Sequence, residues 1–218
     1  MSLTCTAVIF DLDGVLVDSD AALEKRWRQW AERRDIPFDE VKAVYHGRPM
    51  TEVIKMVAPH LDPDAEMDRM MDLMTAAPDA VQAFDGAEEL LNDLPNDRWA
   101  IATSGRRRTS TNRLHHVGLP VPNVFVTADD VTRGKPAPDA YELAAERLNV
   151  PPEDCIVFED APAGVTAAHR AGASVIGVAA TTPADTLTDA DIVVPSVADV
   201  DVTLDKHGTL TVRHPQEV

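Results

Sequence analysis

Val8-Ile9-Phe10-Asp11-Leu12-Asp13-Gly14-Val15 is the stretch on which the fold is decided. The apolar run Ala7–Phe10 ends abruptly in two aspartates one residue apart, followed by Gly14. An apolar run of this length, closed by glycine, reads as a strand of a parallel sheet buried on both faces. Open α/β sheets bind their ligands at the carboxyl ends of the strands. The aspartate pair therefore stands where chemistry would occur. Buried carboxylates are costly unless paired or hydrogen-bonded, and a bound divalent metal offsets that cost. Taken alone, Asp-x-Asp-Gly reads equally well as a solvated turn at a strand end. The rest of the chain separates the two readings.

Downstream of residue 82 the pattern alternates. Asp85-Gly86 leads into a helix that ends before Pro95, and RWAIATSG (98–105) is a strand ending in Thr103, Ser104 and Gly105. RRRTSTNRLHHVG (106–118) is a helix with Gly118 as its C-cap. NVFVTADD is a third strand, and GKPAPDAYELAAERLNV gives a turn and then a helix with proline at its start. DCIVFEDAPAGV is a fourth strand, followed by the helix AGVTAAHRAG and the strands SVIGVA and ADIVVPSV. Strand and helix in strict alternation predict a doubly wound, Rossmann-like parallel sheet. The tail DVTLDKHGTLTV predicts a hairpin turning through Asp205 to Gly208, added at an edge.

Residues 18–82 carry no strand signal. Asp18, Ser19 and Asp20 can cap a helix whose Leu23, Trp27, Trp30 and Ala31 share one face, with Pro37 as its stop. Residues 38–46 and 50–58 read as short helices separated by His46-Gly47-Arg48-Pro49. A Met-rich helix follows, with Met67, Met70, Met71 and Met74 on one side as packing residues. The expected organisation is a core of residues 1–17 and 83–218 interrupted by a helical insert, 18–82.

The 218 residues carry a formal net charge of −17 with histidine neutral. Such a surface argues against nucleic acid and anionic membranes as partners. Cys5 and Cys155 each sit beside a core strand and read as buried free thiols, not a disulfide framework. The chain opens with neither a basic n-region nor an apolar run of signal-peptide length. No stretch approaches transmembrane length. The expectation is a cytoplasmic monomer.

The ends of the predicted strands carry Asp11 and Asp13, Thr103 and Ser104, Lys135, and Glu159 and Asp160. Each set alone has a bland reading: a turn or N-cap for Thr103-Ser104-Gly105, a surface lysine for Lys135, a helix start for Glu159-Asp160. If the strands are parallel and adjacent, all four sets meet in one crevice. Four carboxylates there exceed what one lysine balances. Mg²⁺, octahedral with one or two direct carboxylates plus waters, suits such a set. A hydroxyl, an ammonium and Mg²⁺ around an aspartate make a cradle for a phosphoryl group. His115 and His116 read as solvated residues of a surface helix, His46, His60, His169, His207 and His214 show no metal-ligand spacing, and P-loop, GxGxxG, HExxH and nucleophile-elbow signatures are absent from the sequence.

In order along the chain, DLDGV, ATSG, GKPAPDAY and VFEDAPAG resemble the four signatures of the haloacid dehalogenase-like hydrolase superfamily. The resemblance covers nearly the whole chain, and the helical insert looks like that superfamily's small cap. The wording is most similar to the branch of sugar-phosphate and glycerol-3-phosphate phosphatases, with β-phosphoglucomutases close by. The resemblance implies that Asp11 attacks phosphorus and becomes an aspartyl phosphate. It implies that Asp13 protonates the leaving alcohol and then activates water. Thr103 and the Ser104 backbone N–H would hold phosphoryl oxygens, with Gly105 beside them; apart from the resemblance, Arg106 and Arg107 are placed to reach a substrate anion, or equally to stand solvated at a helix start. Lys135 would neutralise charge on Asp11 and the phosphate. Asp11, the Asp13 carbonyl and Asp160 would bind Mg²⁺, with Glu159 orienting a water or binding directly. The dehalogenases proper lack the second aspartate, so Asp13 favours phosphate-ester chemistry.

Specificity for a small phosphorylated metabolite is expected in the cap, where His46, Gly47 and Arg48 form a polar turn. Two rival functions carry the same core. Mutase-type relatives place a histidine four residues after the position of Ser19, and this chain has Leu23 there. Receiver-like signalling modules phosphorylate an aspartate on a similar sheet, but lack both an Asp-x-Asp pair and a helical insert.

Overall fold

Ala7-Val8-Ile9-Phe10 forms a strand with all four side chains buried, as an apolar run flanked on both faces requires. In the computed structural model, which describes residues 2–45, 48, 50–76, 81–206 and 208–214 (side chains 71–76 excepted), this strand is central to the main sheet. In chain order the elements begin with β1 (Ser2–Cys5), β2 (Ala7–Phe10) and β3 (Val17–Asp18). Four helices follow: α1 (Asp20–Arg33), α2 (Phe38–Lys42), α3 (Met50–Val57) and α4 (Pro63–Ala76). The chain then runs through β4 (Gln82–Ala83), α5 (Ala87–Asp93), β5 (Trp99–Ala102), α6 (Arg107–Val117), β6 (Val124–Val126) and α7 (Asp139–Leu148). It closes with β7 (Cys155–Glu159), α8 (Pro162–Ala171), β8 (Ser174–Val178), β9 (Ile192–Val194), β10 (Asp201–Leu204) and β11 (Leu210–Arg213).

The main sheet has six strands in the order β6-β5-β2-β7-β8-β9, every pair parallel. The order reverses direction between β2 and β7, the switch point at which such sheets bind ligands. Alternation along β2 sends Ile9 and Phe10 to opposite faces. Ile9 joins Ala100, Ala144, Val157 and Ala168 in one core cluster, beneath α7 and α8. Phe10 meets Phe158 at 5.0 Å and the edge of Trp99 at 6.3 Å between ring centroids. Cys5 and Cys155 are free and buried, and burial pushes each thiol up to about 12.

The C-terminal hairpin forms, with Leu204 opposite Leu210 and Asp205 Oδ1 accepting from Thr209 N at 2.9 Å. It does not extend the main sheet. β11 pairs antiparallel with β1 as well as β10, giving a separate three-stranded sheet. The Ser2–Cys5 strand has no clear alternating pattern, so nothing local announced a partner two hundred residues away. The proline expected inside the start of α7 is instead its N-cap, Pro138, whereas Pro162 does open α8.

By internal contacts the chain divides into two units, Met1–Asp18 with Gln82–Val218, and Ser19–Val81. β3 and β4 pair antiparallel where the chain leaves and re-enters the first unit. In the second, Trp27, Trp30, Ala31, Val53, Ile54 and Met70 form the core, with Leu23 packed against it. α1 stops at Arg33, before Pro37, because Asp35 takes a left-handed φ of 54°. Ser19 stands at the N-cap of α1 without a side-chain capping bond, and α2 ends at Lys42, short of the expected 46.

Glu66 joins α4 to α1 within the helical unit. It is 2 % exposed and accepts from Trp30 Nε1 at 2.9 Å and from Arg34 Nε and Nη2 at 3.0 and 2.8 Å, and Arg69 also reaches it. The Arg34 hydrogen bonds hold its carboxyl below the ordinary 4.5. A depressed carboxyl contributes stability that is fully present above 4.5 and is lost as pH falls through the lower folded value. Glu66→Ala leaves a buried indole N–H and a guanidinium without their acceptor. It is expected to destabilise the helical unit by about 3–5 kcal/mol, read as faster amide exchange in α1 and α4. Unchanged exchange would remove Glu66 from the account of how these helices are held.

Candidate active site

Four loops leave the carboxyl edge of the main sheet and bring the charged residues together. Asp11 follows β2, and its N–H donates to Phe158 O at 2.9 Å, which ties it to the end of β7. The chain then turns at Gly14, whose φ of 81° and close approach to Asp160 both require glycine. A Cβ there would lie 2.0 Å from Asp160 Oδ2.

Glu159, the last residue of β7, is fully buried. Its Oε1 accepts from Lys135 Nζ at 2.5 Å and from Tyr141 Oη at 2.7 Å, and its Oε2 from Ala161 N at 3.0 Å. The carboxylate sits against the first turn of α8, where a Cβ on Gly164 would fall 1.7 Å from Oε1. Lys135, in the segment between β6 and α7, also reaches Asp11 Oδ1 at 3.1 Å and lies 4.9 Å from the Tyr141 ring centroid. Asp160 accepts from Thr181 Oγ1 at 2.9 Å.

Electrostatics follow from this crowding. Burial holds the Asp11 carboxyl well above the ordinary 3.8; Lys135 opposes that rise, and Glu159 and Asp160 add to it. Burial and the neighbouring Glu159 push Asp160 up to about 7. Burial would lower the Lys135 ammonium, but the Asp11 and Glu159 carboxylates outweigh it and raise it above 10.5. Burial, with Glu159 beside it, raises the Tyr141 phenol well above 10.0. Lys135 is therefore a fixed positive charge, and the carboxylates around it are poorly compensated.

Asp11, Glu159 and Asp160 each offer an oxygen within 4.8 Å of the others. Asp11 Oδ1 is buried and, although 3.1 Å from the ammonium, accepts no well-aligned hydrogen bond. An orphaned oxygen beside two more carboxylates fits a hard divalent cation, which takes oxygen ligands. The Asp13 carboxylate stands apart from this trio and is ion-paired with Arg113 of α6.

Thr103 and Ser104, just past β5, share a cavity of about 150 Å³ with Gly134 and Lys135. The Thr103 hydroxyl accepts from Gly105 N at 3.0 Å, which leaves its own O–H to donate elsewhere. Gly105 packs close to Ser110, and Arg106 is the exposed N-cap of α6. Arg48 belongs to the helical unit, exposed, with Val44 O at 3.4 Å and Glu52 at 3.9 Å. His46 and Gly47 lie outside the described residues.

The sequence pattern of a family described as haloacid dehalogenase-like hydrolase matches residues 5–172, which include Asp11, Asp13, Thr103, Lys135, Glu159 and Asp160 but not Thr181. The chain belongs to the haloacid dehalogenase-like hydrolase family. It is similar to hexitol phosphatase A of Escherichia coli K12, 40 % identical over 97 % of this chain and 100 % of the relative. It is also similar to validoxylamine A 7′-phosphate phosphatase of Streptomyces hygroscopicus subsp. limoneus, 38 % identical over 88 % and 94 %. Among solved structures it resembles a putative β-phosphoglucomutase from Thermotoga maritima, with a TM-score of 0.68 and 29 % identity over 88 % and 95 % of the two chains.

Several residues of this hydrolase's site escape sequence reasoning. Tyr141 lies within the GKPAPDAY stretch, yet only the fold shows that its hydroxyl fastens Glu159. Thr181, beyond β8, reaches Asp160 from a loop without any motif. Outside that cluster, just past β6, Asp130 gathers Thr127, Arg107 and Arg147, and Asp129 Oδ2 caps α6 by accepting from Arg107 N at 2.9 Å. Arg113 carried a signal: it falls on the buried stripe of α6 with Thr109, Ser110 and Leu114. A charge on a buried stripe implies a buried partner.

Proposed function

We propose that this hydrolase is a Mg²⁺-dependent phosphatase acting on a small phosphorylated sugar or polyol through a phosphoryl group carried on Asp11. The observation that carries the reading is Asp11 itself. Its carboxylate is buried, keeps an oxygen without a hydrogen bond, and is flanked by a fixed ammonium and further carboxylates.

Asp11 attacks phosphorus as the ester P–O bond breaks, and Asp13 gives its proton to the departing alkoxide. Water then attacks the phosphorylated Asp11, passing its proton to Asp13. The P–O bond to Asp11 breaks, and phosphate and free carboxylate result. Lys135 lies against Asp11 and supplies positive charge for the phosphoryl oxygens. The Thr103 O–H and the Ser104 N–H donate to those oxygens.

Asp11, Asp160 and the Asp13 carbonyl would hold Mg²⁺. When bound, it offsets the carboxylate and phosphoryl charge that one lysine cannot balance. Glu159 already accepts three protein donors, which supports a role in anchoring Lys135 in preference to a metal contact.

The similarity to proteins named as phosphatases of hexitol and validoxylamine phosphates supports a polyhydroxylated substrate. Phosphoryl return to sugar, the mutase reaction, is disfavoured because Leu23 packs against the apolar core of the helical unit where a histidine would stand. Within this reading the helical unit is the cap that selects substrate. Arg48→Ala is then expected to alter relative rates among sugar and polyol phosphates while a small aryl phosphate is still hydrolysed, because remote contacts supply binding energy and the core supplies chemistry. An equal loss on every ester would contradict that assignment.

The reading is tested by phosphate release from hexitol phosphates, hexose phosphates and glycerol phosphate, with and without chelator. Release from some of these that stops in chelator and returns with Mg²⁺ is expected. Full release in chelator, or conversion of a hexose 1-phosphate to its 6-phosphate without free phosphate, would contradict it.

A further inference from the structure

Asp13 and Arg113 stand 100 residues apart in sequence and form an ion pair in which Arg113 Nη1 donates to Asp13 Oδ1. The Arg113 side chain is 10 % exposed and the Asp13 side chain 30 %. A guanidinium on a buried helical stripe is costly to desolvate unless it meets a carboxylate, and Asp13 supplies one. The backbone at Asp13 is already fixed. Gly14 N donates to Val17 O at 2.9 Å, and Asp13 bridges to Val17 at the start of β3. α6 packs on that same β3. What remains free at Asp13 is its side-chain torsion, with its usual staggered alternatives. The Arg113 hydrogen bond selects one of them.

We propose that Arg113 is a positioning residue for catalysis, holding Asp13 Oδ1 so that Oδ2 is the oxygen that exchanges protons with the reacting groups. The inference rests on the phosphatase reading of Asp13. Asp13, protonated on Oδ2 when the ester is bound, gives that proton to the alkoxide as the ester bond breaks and takes one back from the attacking water, while Oδ1 accepts from Arg113 in both states. The fixed charge and planar, forked donors of Arg113 give Asp13 an orientation that an apolar neighbour cannot.

The experiment is a double-mutant cycle in the full-length enzyme with Mg²⁺ and glycerol phosphate. It compares wild type, Arg113→Met, Asp13→Asn and the pair. Arg113→Met is expected to lower kcat on the order of 10²-fold, the typical cost of misplacing a reacting group, with KM little changed. Added guanidinium ion is expected to restore part of the rate, and Arg113→Lys to retain more activity than Arg113→Met. In the Asp13→Asn background the second substitution is expected to cost little more, because the group it positions is gone. An equal cost in both backgrounds would mean that Arg113 acts on the fold, and the proposal fails. Wild-type kcat in both Arg113 variants would overturn it too. Should Arg113→Met not fold, Arg113→Lys carries the same cycle. Full turnover by Asp13→Asn alone would overturn the acid–base reading, and this inference with it.

Discussion

Asp11→Asn is expected to lower turnover of every phosphate ester by at least about 10⁴-fold, in line with the loss of other catalytic nucleophiles. The substitution keeps shape and leaves the crowded cluster with one acidic group fewer. Burial holds the Asp11 carboxyl high, so a neutral amide in its place is tolerated by the fold. Thermal stability should stay at or above that of the parent. Loss of turnover with preserved stability identifies Asp11 as chemically required. Turnover within tenfold of the parent would mean that the attacking group lies elsewhere.

Gly164→Ala carries the second largest expected effect, although Gly164 touches no substrate. Its added Cβ would fall 1.7 Å from Glu159 Oε1, the atom that accepts from both Lys135 and Tyr141. Gly164 lies in the first turn of α8, which begins at Pro162, and Glu159 ends a central strand, so neither backbone has room to give. The carboxylate must swing away. Lys135 then loses its anchor, and a buried phenol loses its acceptor. Breaking a buried pair in this way costs about 3–5 kcal/mol of stability. A displaced ammonium near the reacting phosphoryl group costs on the order of 10²-fold in kcat. Calorimetry and steady-state rates check the two parts. A variant as stable and active as the parent would show that the Glu159–Lys135 pair is dispensable.

What the sequence made legible was set by local pattern. Fully apolar runs such as Ala7–Phe10 and Cys155–Val157 mark strands buried on both faces. The polar residues that close those runs mark the ligand edge. The alternation of strand and helix leaves few topologies, and the observed order follows. Partners chosen across long sequence distances were not legible. β1 joins the C-terminal hairpin because β11 offers a free edge, a fact in neither segment's pattern. Thr181 and Tyr141 are ordinary residues made important by where the sheet delivers Asp160 and Glu159. The sequence showed two adjacent acids at a strand end, and the fold turns one toward Lys135 and the other toward Gly14.

The central claim is that phosphate passes through a covalent intermediate on Asp11, and one measurement addresses it directly. Asp13→Asn keeps the nucleophile and removes the group that activates water. With a nitrophenyl phosphate the leaving group needs little protonation, so the first step should partly survive while the second slows by about 10²–10⁴-fold. The enzyme is quenched in acid within its first turnovers and digested, and the peptide containing Asp11 is weighed. The account predicts a burst of phenolate close to one equivalent per enzyme and one added phosphoryl group on Asp11. A phenolate release without any burst, together with an unmodified Asp11 peptide, would contradict it.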